Sequence, residues 1–190
     1  MEIILASSSP RRIEILKMLR LDFQVIKPEV DENVNSLEDV LDVSYLKAKS
    51  VFEKLEKKEN VIVIGADTVL LFMNKIIGKP KDKKDAFNII KSLSGRTHYV
   101  YTGLSLISKD KAINKIVKTT IRVGKIDDNS ILNYIEKENI IDAAGAYKIQ
   151  GLFSCLIEYI KGDYYNVMGL PVRTLYKILK RNFKIDLINK

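Results

Sequence analysis

The sequence predicts an α/β domain built on a mixed, strongly twisted sheet flanked by helices. Three observations lead there. β-Branched runs such as Val61-Ile62-Val63-Ile64 alternate along the chain with segments of helical apolar spacing. Too many neighbouring strand segments are joined by tight turns for the sheet to be purely parallel. A chain of 190 residues with 46% hydrophobic and 29% charged side chains is long enough for one core, so residues 1–190 read as a single domain.

The elements follow in order. Glu2 to Ala6 is a short buried strand, and Ser9 and Pro10 cap and open a helix from Arg11 to about Arg20. Phe23 to Lys27 reads as a second strand. Leu37 to about Lys58 is a long amphipathic helix, with Leu37, Val40, Leu41, Val51, Phe52 and Leu55 on its apolar face beside Ser44 and Ala48. Val61 to Ile64 has the β-branched composition of a strand covered on both faces. Val69 to Ile77 then forms a hairpin turning at Asn74-Lys75. Asp82 caps a helix that stops at Gly95. Two long strands, Thr97 to Ser108 and Ile113 to Val123, precede a helix from Asp128 to Lys137. Leu152 to Ile160 and Tyr164 to Met168 read as a hairpin around Lys161-Gly162-Asp163, and a last helix covers Val172 to Arg181.

Bulk composition removes several function classes. No segment approaches the ~20 apolar residues of a membrane span, and the opening MEIILASSSPRR is a poor signal peptide, its apolar run short and its charges late. Cys155 is the one cysteine, so no internal disulfide or zinc cluster forms, and a cytoplasmic setting is expected. A net charge of +8 would suit nucleic acid, but the lysines are dispersed and no binding motif accompanies them. The dense set Arg173, Lys177, Lys180, Arg181 and Lys184 reads as a solvated helix face.

Five segments carry chemistry. Ser7-Ser8-Ser9-Pro10-Arg11-Arg12 joins a strand to a helix start, whose free N–H groups and two guanidinium forks suit phosphate oxygens. Gly65-Ala66-Asp67-Thr68 puts a carboxylate at the carboxyl end of the Val61–Ile64 strand, a common place to hold a metal or orient water. Gly78-Lys79-Pro80 holds a lysine between a turn glycine and a proline. Ser94-Gly95-Arg96-Thr97-His98 contains the one histidine, read as structural because no nucleophile elbow accompanies it. Ala144 to Gly151 offers an aromatic and an amide, Gln150, able to bond a pyrimidine edge.

Together with Asp31-Glu32 and Gly162-Asp163-Tyr164-Tyr165-Asn166-Val167-Met168-Gly169-Leu170-Pro171, these segments in this order resemble the Maf family from residue 3 to about 180. The resemblance implies an inosine-triphosphatase-like, two-lobed architecture with a central cleft. It implies metal-assisted hydrolysis of a nucleoside triphosphate to the monophosphate and pyrophosphate, with Mg²⁺ or Mn²⁺ as cofactor. Its form Ala-Tyr-x-Ile-Gln-Gly is similar to the dTTP/UTP branch, although Ala143 and Lys148 depart from the common pattern. By position, Asp67 is the proton acceptor, and Lys47 and Lys79 stand with it as catalytic cations. Ser7, Arg11, Arg12, Thr68 and Gln150 bind substrate, and Glu32 joins Asp67 at the metal. The family's helix lysine has two candidates here. Lys47 lies roughly 80° from the middle of the apolar stripe and Lys49 roughly 120°, so Lys47 is the choice. The family suggests a homodimer. The rival reading is a non-catalytic nucleotide-binding regulator of septum formation.

Overall fold

The computed structural model of the chain describes residues 1–31 and 34–189. The strands are β1 (Glu2–Ala6), β2 (Gln24–Ile26), β3 (Val61–Phe72), β4 (Lys75–Ile77), β5 (Thr97–Ile107), β6 (Ala112–Val123) and β7 (Ile157–Lys161). The helices are α1 (Pro10–Met18), α2 (Leu37–Glu53), α3 (Lys83–Leu93), α4 (Asp128–Lys137), α5 (Tyr164–Met168) and α6 (Val172–Phe183). The sheet runs β2-β1-β3-β5-β6-β7, with β4 paired to β3. It is mixed: β1 is parallel to both β2 and β3, while β4 is antiparallel to β3 and β7 to β6.

The chain divides into two compact units. The first comprises residues 1–67, 102–117 and 169–190, and the second residues 68–101 and 118–168.

In the first unit the period of two along strands and of 3.6 along α2 meet at one core. Ile4 and Ala6 of β1, Val61 and Val63 of β3 and Ile107 of β5 pack with Ala48 and Val51 of α2. Helix α2 opens on a capping box in which Ser36 accepts from the Asp39 amide and the Asp39 carboxylate accepts from the Ser36 amide. It ends at Glu53, short of Lys58. The stretch Lys54 to Lys58 keeps only Leu55 in the apolar pattern and is otherwise charged, which leaves a further turn little to bury.

In the second unit α3 packs on α4 and on the 3₁₀ turn Ala144–Ala146. The buried faces are Ala86, Ile90 and Leu93 on α3 and Ile131, Tyr134 and Ile135 on α4.

Three further sequence expectations change. The strand expected to stop at Ile64 continues to Phe72, because Val69 to Phe72 extends the buried run and Gly65 stays in the strand. The hairpin therefore turns one residue earlier, at Met73-Asn74, both in the left-handed region with φ of 48° and 60°. The expected hairpin between 152 and 168 is instead a 3₁₀ turn (Leu152–Leu156), strand β7 and helix α5. The reason for α5 is local: Asp163 Oδ1 accepts from the amides of Tyr165 and Asn166 and caps a helical turn.

Candidate active site

The first unit builds its polar centre at the end of an apolar row. Residues 61, 63, 65 and 67 share one face of β3, since side chains alternate along a strand. Val61 and Val63 belong to the core beneath α2, so Gly65 and Asp67 continue that row. On α2 the facing positions are Ser44, Lys47, Ala48 and Val51, all buried. Gly65 sets the approach of the two elements. A Cβ there would lie 2.8 Å from the Ala48 amide nitrogen and 2.9 Å from Ala48 Cβ, and closer still to the Ser44 carbonyl. Gly103 on β5 does the same beneath Val40 and Ser44. Ser44 Oγ also shares a hydrogen bond of 2.8 Å with Ser105 Oγ, which fixes the helix over the strand two residues along from Gly103.

That close packing lets a side chain one step along the helix meet one two steps along the strand. Lys47 Nζ donates to Asp67 Oδ1 at 2.8 Å, with side-chain exposures of only 4% and 12%. Lys49 is exposed and pairs with Glu53 at 3.7 Å on the outer face. Asp67 thus lies within β3 rather than at a strand's carboxyl end, where the sequence had been expected to put it.

The phosphate-type segment sits beside this centre in the sheet register. β1 pairs Ala6 with Gly65, so Ser7 leaves β1 one residue past that pair and Asp67 lies two residues past it on β3. Ser7 Oγ accepts from the Ser9 amide at 3.1 Å and from Arg12 Nη1 at 3.3 Å. Arg12 Nε donates to the Gly169 carbonyl at 2.8 Å, and the residue is 9% exposed. Gly169 has a φ of 114°, a conformation natural only to glycine, so its carbonyl orientation depends on that residue type. Arg11 follows Pro10 in the first turn of α1 and is half-buried.

The remaining predicted residues belong to the second unit. Thr68 is half-buried on β3, and Lys79 and Gln150 are exposed in loops. The two loops are joined, since the Gly145 amide donates to the Gly78 carbonyl at 3.0 Å. Gly145 has φ +76°, and a Cβ there would strike Leu70. His98 is fully buried, with Nε2 sharing a hydrogen bond of 2.7 Å with the Tyr147 hydroxyl. Burial pushes its pKa from 6.5 down to about 4, so the ring is neutral near pH 7. Glu32, expected at the metal, lies outside the described residues.

Sequence reasoning had not found the two helix-facing glycines or the Ser44–Ser105 bond. The signal for Gly65 was present in the alternation Val61-x-Val63-x-Gly65-x-Asp67, which places the glycine and the carboxylate on one face once the strand is allowed to continue.

With this geometry in view, residues 2–182 match the family described as Maf-like protein. The chain belongs to the Maf family. Among its relatives, the dTTP/UTP pyrophosphatase of Thermoanaerobacter sp. (strain X514) is 46% identical over 99% of this chain and 100% of its own length. The dTTP/UTP pyrophosphatase of Thermosipho melanesiensis is 46% identical over 94% of this chain and 97% of its own. The structure of the Staphylococcus aureus Ham1 protein overlaps 67% of this Maf chain and 73% of its own, at 21% identity and a TM-score of 0.46. No helix among the described residues of this Maf protein is long and apolar enough to cross a membrane.

Proposed function

We propose that this Maf protein is a cytoplasmic nucleoside triphosphate pyrophosphatase that hydrolyses dTTP and UTP to the monophosphate and pyrophosphate. Full-length relatives at 46% identity carry that activity in their names. The observation that carries the chemistry is the buried Lys47–Asp67 pair at the end of the apolar row. A carboxylate taken this far out of water is retained at a cost unless it is paired. The arrangement supplies an oriented proton acceptor with a fixed cation against it.

In the proposed reaction Asp67 orients a water and accepts its proton as the oxygen attacks the α-phosphorus. The bond from the α-phosphorus to the bridging oxygen breaks, and pyrophosphate leaves. Lys47 holds the carboxylate in one direction and offsets negative charge as the nucleotide arrives. Ser7, Arg11 and Arg12 bind phosphate oxygens, Arg12 being pre-set by its bonds to Ser7 and Gly169. Lys79 adds a phosphate contact, and Thr68 and Gln150 choose the base. A divalent ion, Mg²⁺ or Mn²⁺, fits the donor chemistry, because carboxylate oxygen is the hard ligand these ions take. Asp67 and Glu32 would hold it. When bound, it supplies charge neutralisation for the phosphates and the leaving group.

The test is release of pyrophosphate from a panel of dTTP, UTP, CTP, dATP and GTP, with metal and with chelator. The proposal expects dTTP and UTP to head the panel. Tight binding of those nucleotides with no pyrophosphate released would favour a nucleotide-binding regulator instead.

A further inference from the structure

The segment Tyr147–Leu152, which presents Gln150, is anchored by side chains that the reaction itself does not use. The Lys148 amide donates to the Tyr134 hydroxyl at 3.1 Å, and the Leu152 amide donates to Glu138 Oε1 at 3.2 Å. The Gly151 amide closes the turn onto the Lys148 carbonyl at 3.2 Å. At the root of the segment, Tyr147 stacks on Phe153 with ring centroids 4.3 Å apart and planes inclined by 21°. Its hydroxyl meets His98 Nε2 at 2.7 Å. Gln150 alone of residues 147–150 is exposed, at the tip.

The His98–Tyr147 contact differs from the others. Both residues are buried, at 0% and 6% exposure, so neither can exchange its partner for bulk water. His98 Nδ1 has no hydrogen-bond partner among the described residues, which leaves the Tyr147 hydroxyl as the ring's one polar tether. The stack on Phe153 sets the tilt of the ring, and the hydroxyl bond to His98 fixes its outer end. The backbone of Lys148 to Gln150 continues directly from the residue so held.

We propose that His98 is a positioning residue for base selection, acting through the Tyr147 hydroxyl to set where Gln150 stands. This rests on the pyrophosphatase reading and on Gln150 as the base-facing amide. A misplaced Gln150 weakens recognition of the pyrimidine while leaving the phosphate chemistry of the first unit unchanged. The signature is therefore in KM and in substrate preference, and not in kcat.

Tyr147→Phe keeps the ring stack and removes the tether. It should raise KM for dTTP and UTP about tenfold, the worth of roughly one directed hydrogen bond, with kcat within about twofold. The preference for dTTP over GTP in kcat/KM should fall by a similar factor. His98→Phe should behave alike, and the double variant should be no worse than either single one, because both act through one contact. Ile90→Val, a core change in the same unit with 0% exposure, controls for lost stability and should leave preference unchanged. Wild-type KM and preference in Tyr147→Phe, or an equal change in Ile90→Val, would overturn the proposal. If the wild-type enzyme releases no pyrophosphate from any nucleotide, the activity reading fails separately. Hydrogen exchange at the amides of Lys148 and Gly151 then decides the tether: faster exchange in Tyr147→Phe supports it, and unchanged exchange overturns it.

Discussion

Gly65→Ala separates a geometric explanation of this centre from a merely compositional one. The added Cβ would stand 2.9 Å from Ala48 Cβ and 2.8 Å from the Ala48 amide nitrogen, with the Ser44 carbonyl nearer. Carbon contacts settle at ~3.5–4.0 Å, so α2 must withdraw from β3 by roughly 0.6–1 Å. The backbone atoms it meets cannot turn aside as a flexible side chain would. Overpacking of this kind costs about 1–3 kcal/mol, which in a chain of 190 residues lowers Tm by roughly 3–10 °C. The same withdrawal opens the 2.8 Å contact between Lys47 and Asp67 beyond hydrogen-bond range. A displacement near 1 Å at reacting groups costs on the order of 100-fold in rate. Thermal unfolding followed by circular dichroism gives the first number, and pyrophosphate release from dTTP at a temperature where the variant is fully folded gives the second. A Gly65→Ala protein with wild-type Tm and near-normal turnover would refute the claim that this glycine sets the distance between helix and carboxylate.

Further outcomes follow from the same contacts. Lys47→Met leaves Asp67 without its ammonium partner while roughly keeping volume; destabilisation of about 3 kcal/mol is expected in urea titrations, at the lower end for a buried pair because Asp67 retains 12% side-chain exposure. His98 has a folded pKa near 4 against 6.5 in the unfolded chain, so the unfolded state binds the extra proton between those values. Its contribution is fully present above pH 6.5 and is lost as pH falls towards 4, about 3 kcal/mol in all. The difference in Tm between wild type and His98→Phe, measured from pH 7 to pH 4, should shift in favour of the variant as the pH drops. Gln150→Glu exchanges an amide donor for a carboxylate at the exposed tip. It should lower kcat/KM for dTTP and UTP about tenfold or more, read by the nucleotide panel; an unchanged profile would remove Gln150 from base selection.

Much of this was legible before any coordinates. The long strands β5 and β6, the caps Ser9 and Asp82 and the choice of Lys47 over Lys49 as the inward lysine follow from periodicity and local chemistry, and the structure places each accordingly. Ser9 is nevertheless an N-cap by backbone conformation only, for its side chain makes no capping bond. What could not be read was decided by tertiary packing. Glycine inside Val61–Phe72 looked like a strand end because isolated glycine weakens a strand. Its role appears only when α2 lies across it. Tyr164 to Met168 carries the aromatic and β-branched residues of a strand, yet Asp163 caps it into a helix. The His98–Tyr147 bond links residues 49 apart in sequence, and spacing alone gives no hint of it.

The central claim is that the Asp67 carboxylate, held by Lys47, accepts the proton of the attacking water. Asp67→Asn tests it most directly, because the substitution preserves shape and removes only the charge and proton-accepting capacity. Pyrophosphate release from dTTP should fall at least ~1000-fold, while dTTP binding by calorimetry stays near wild type. Because the buried Lys47 ammonium loses its counter-charge, stability should fall by about 3 kcal/mol, so both are read at a temperature where the variant is fully folded. Turnover within tenfold of wild type in the folded variant would contradict it.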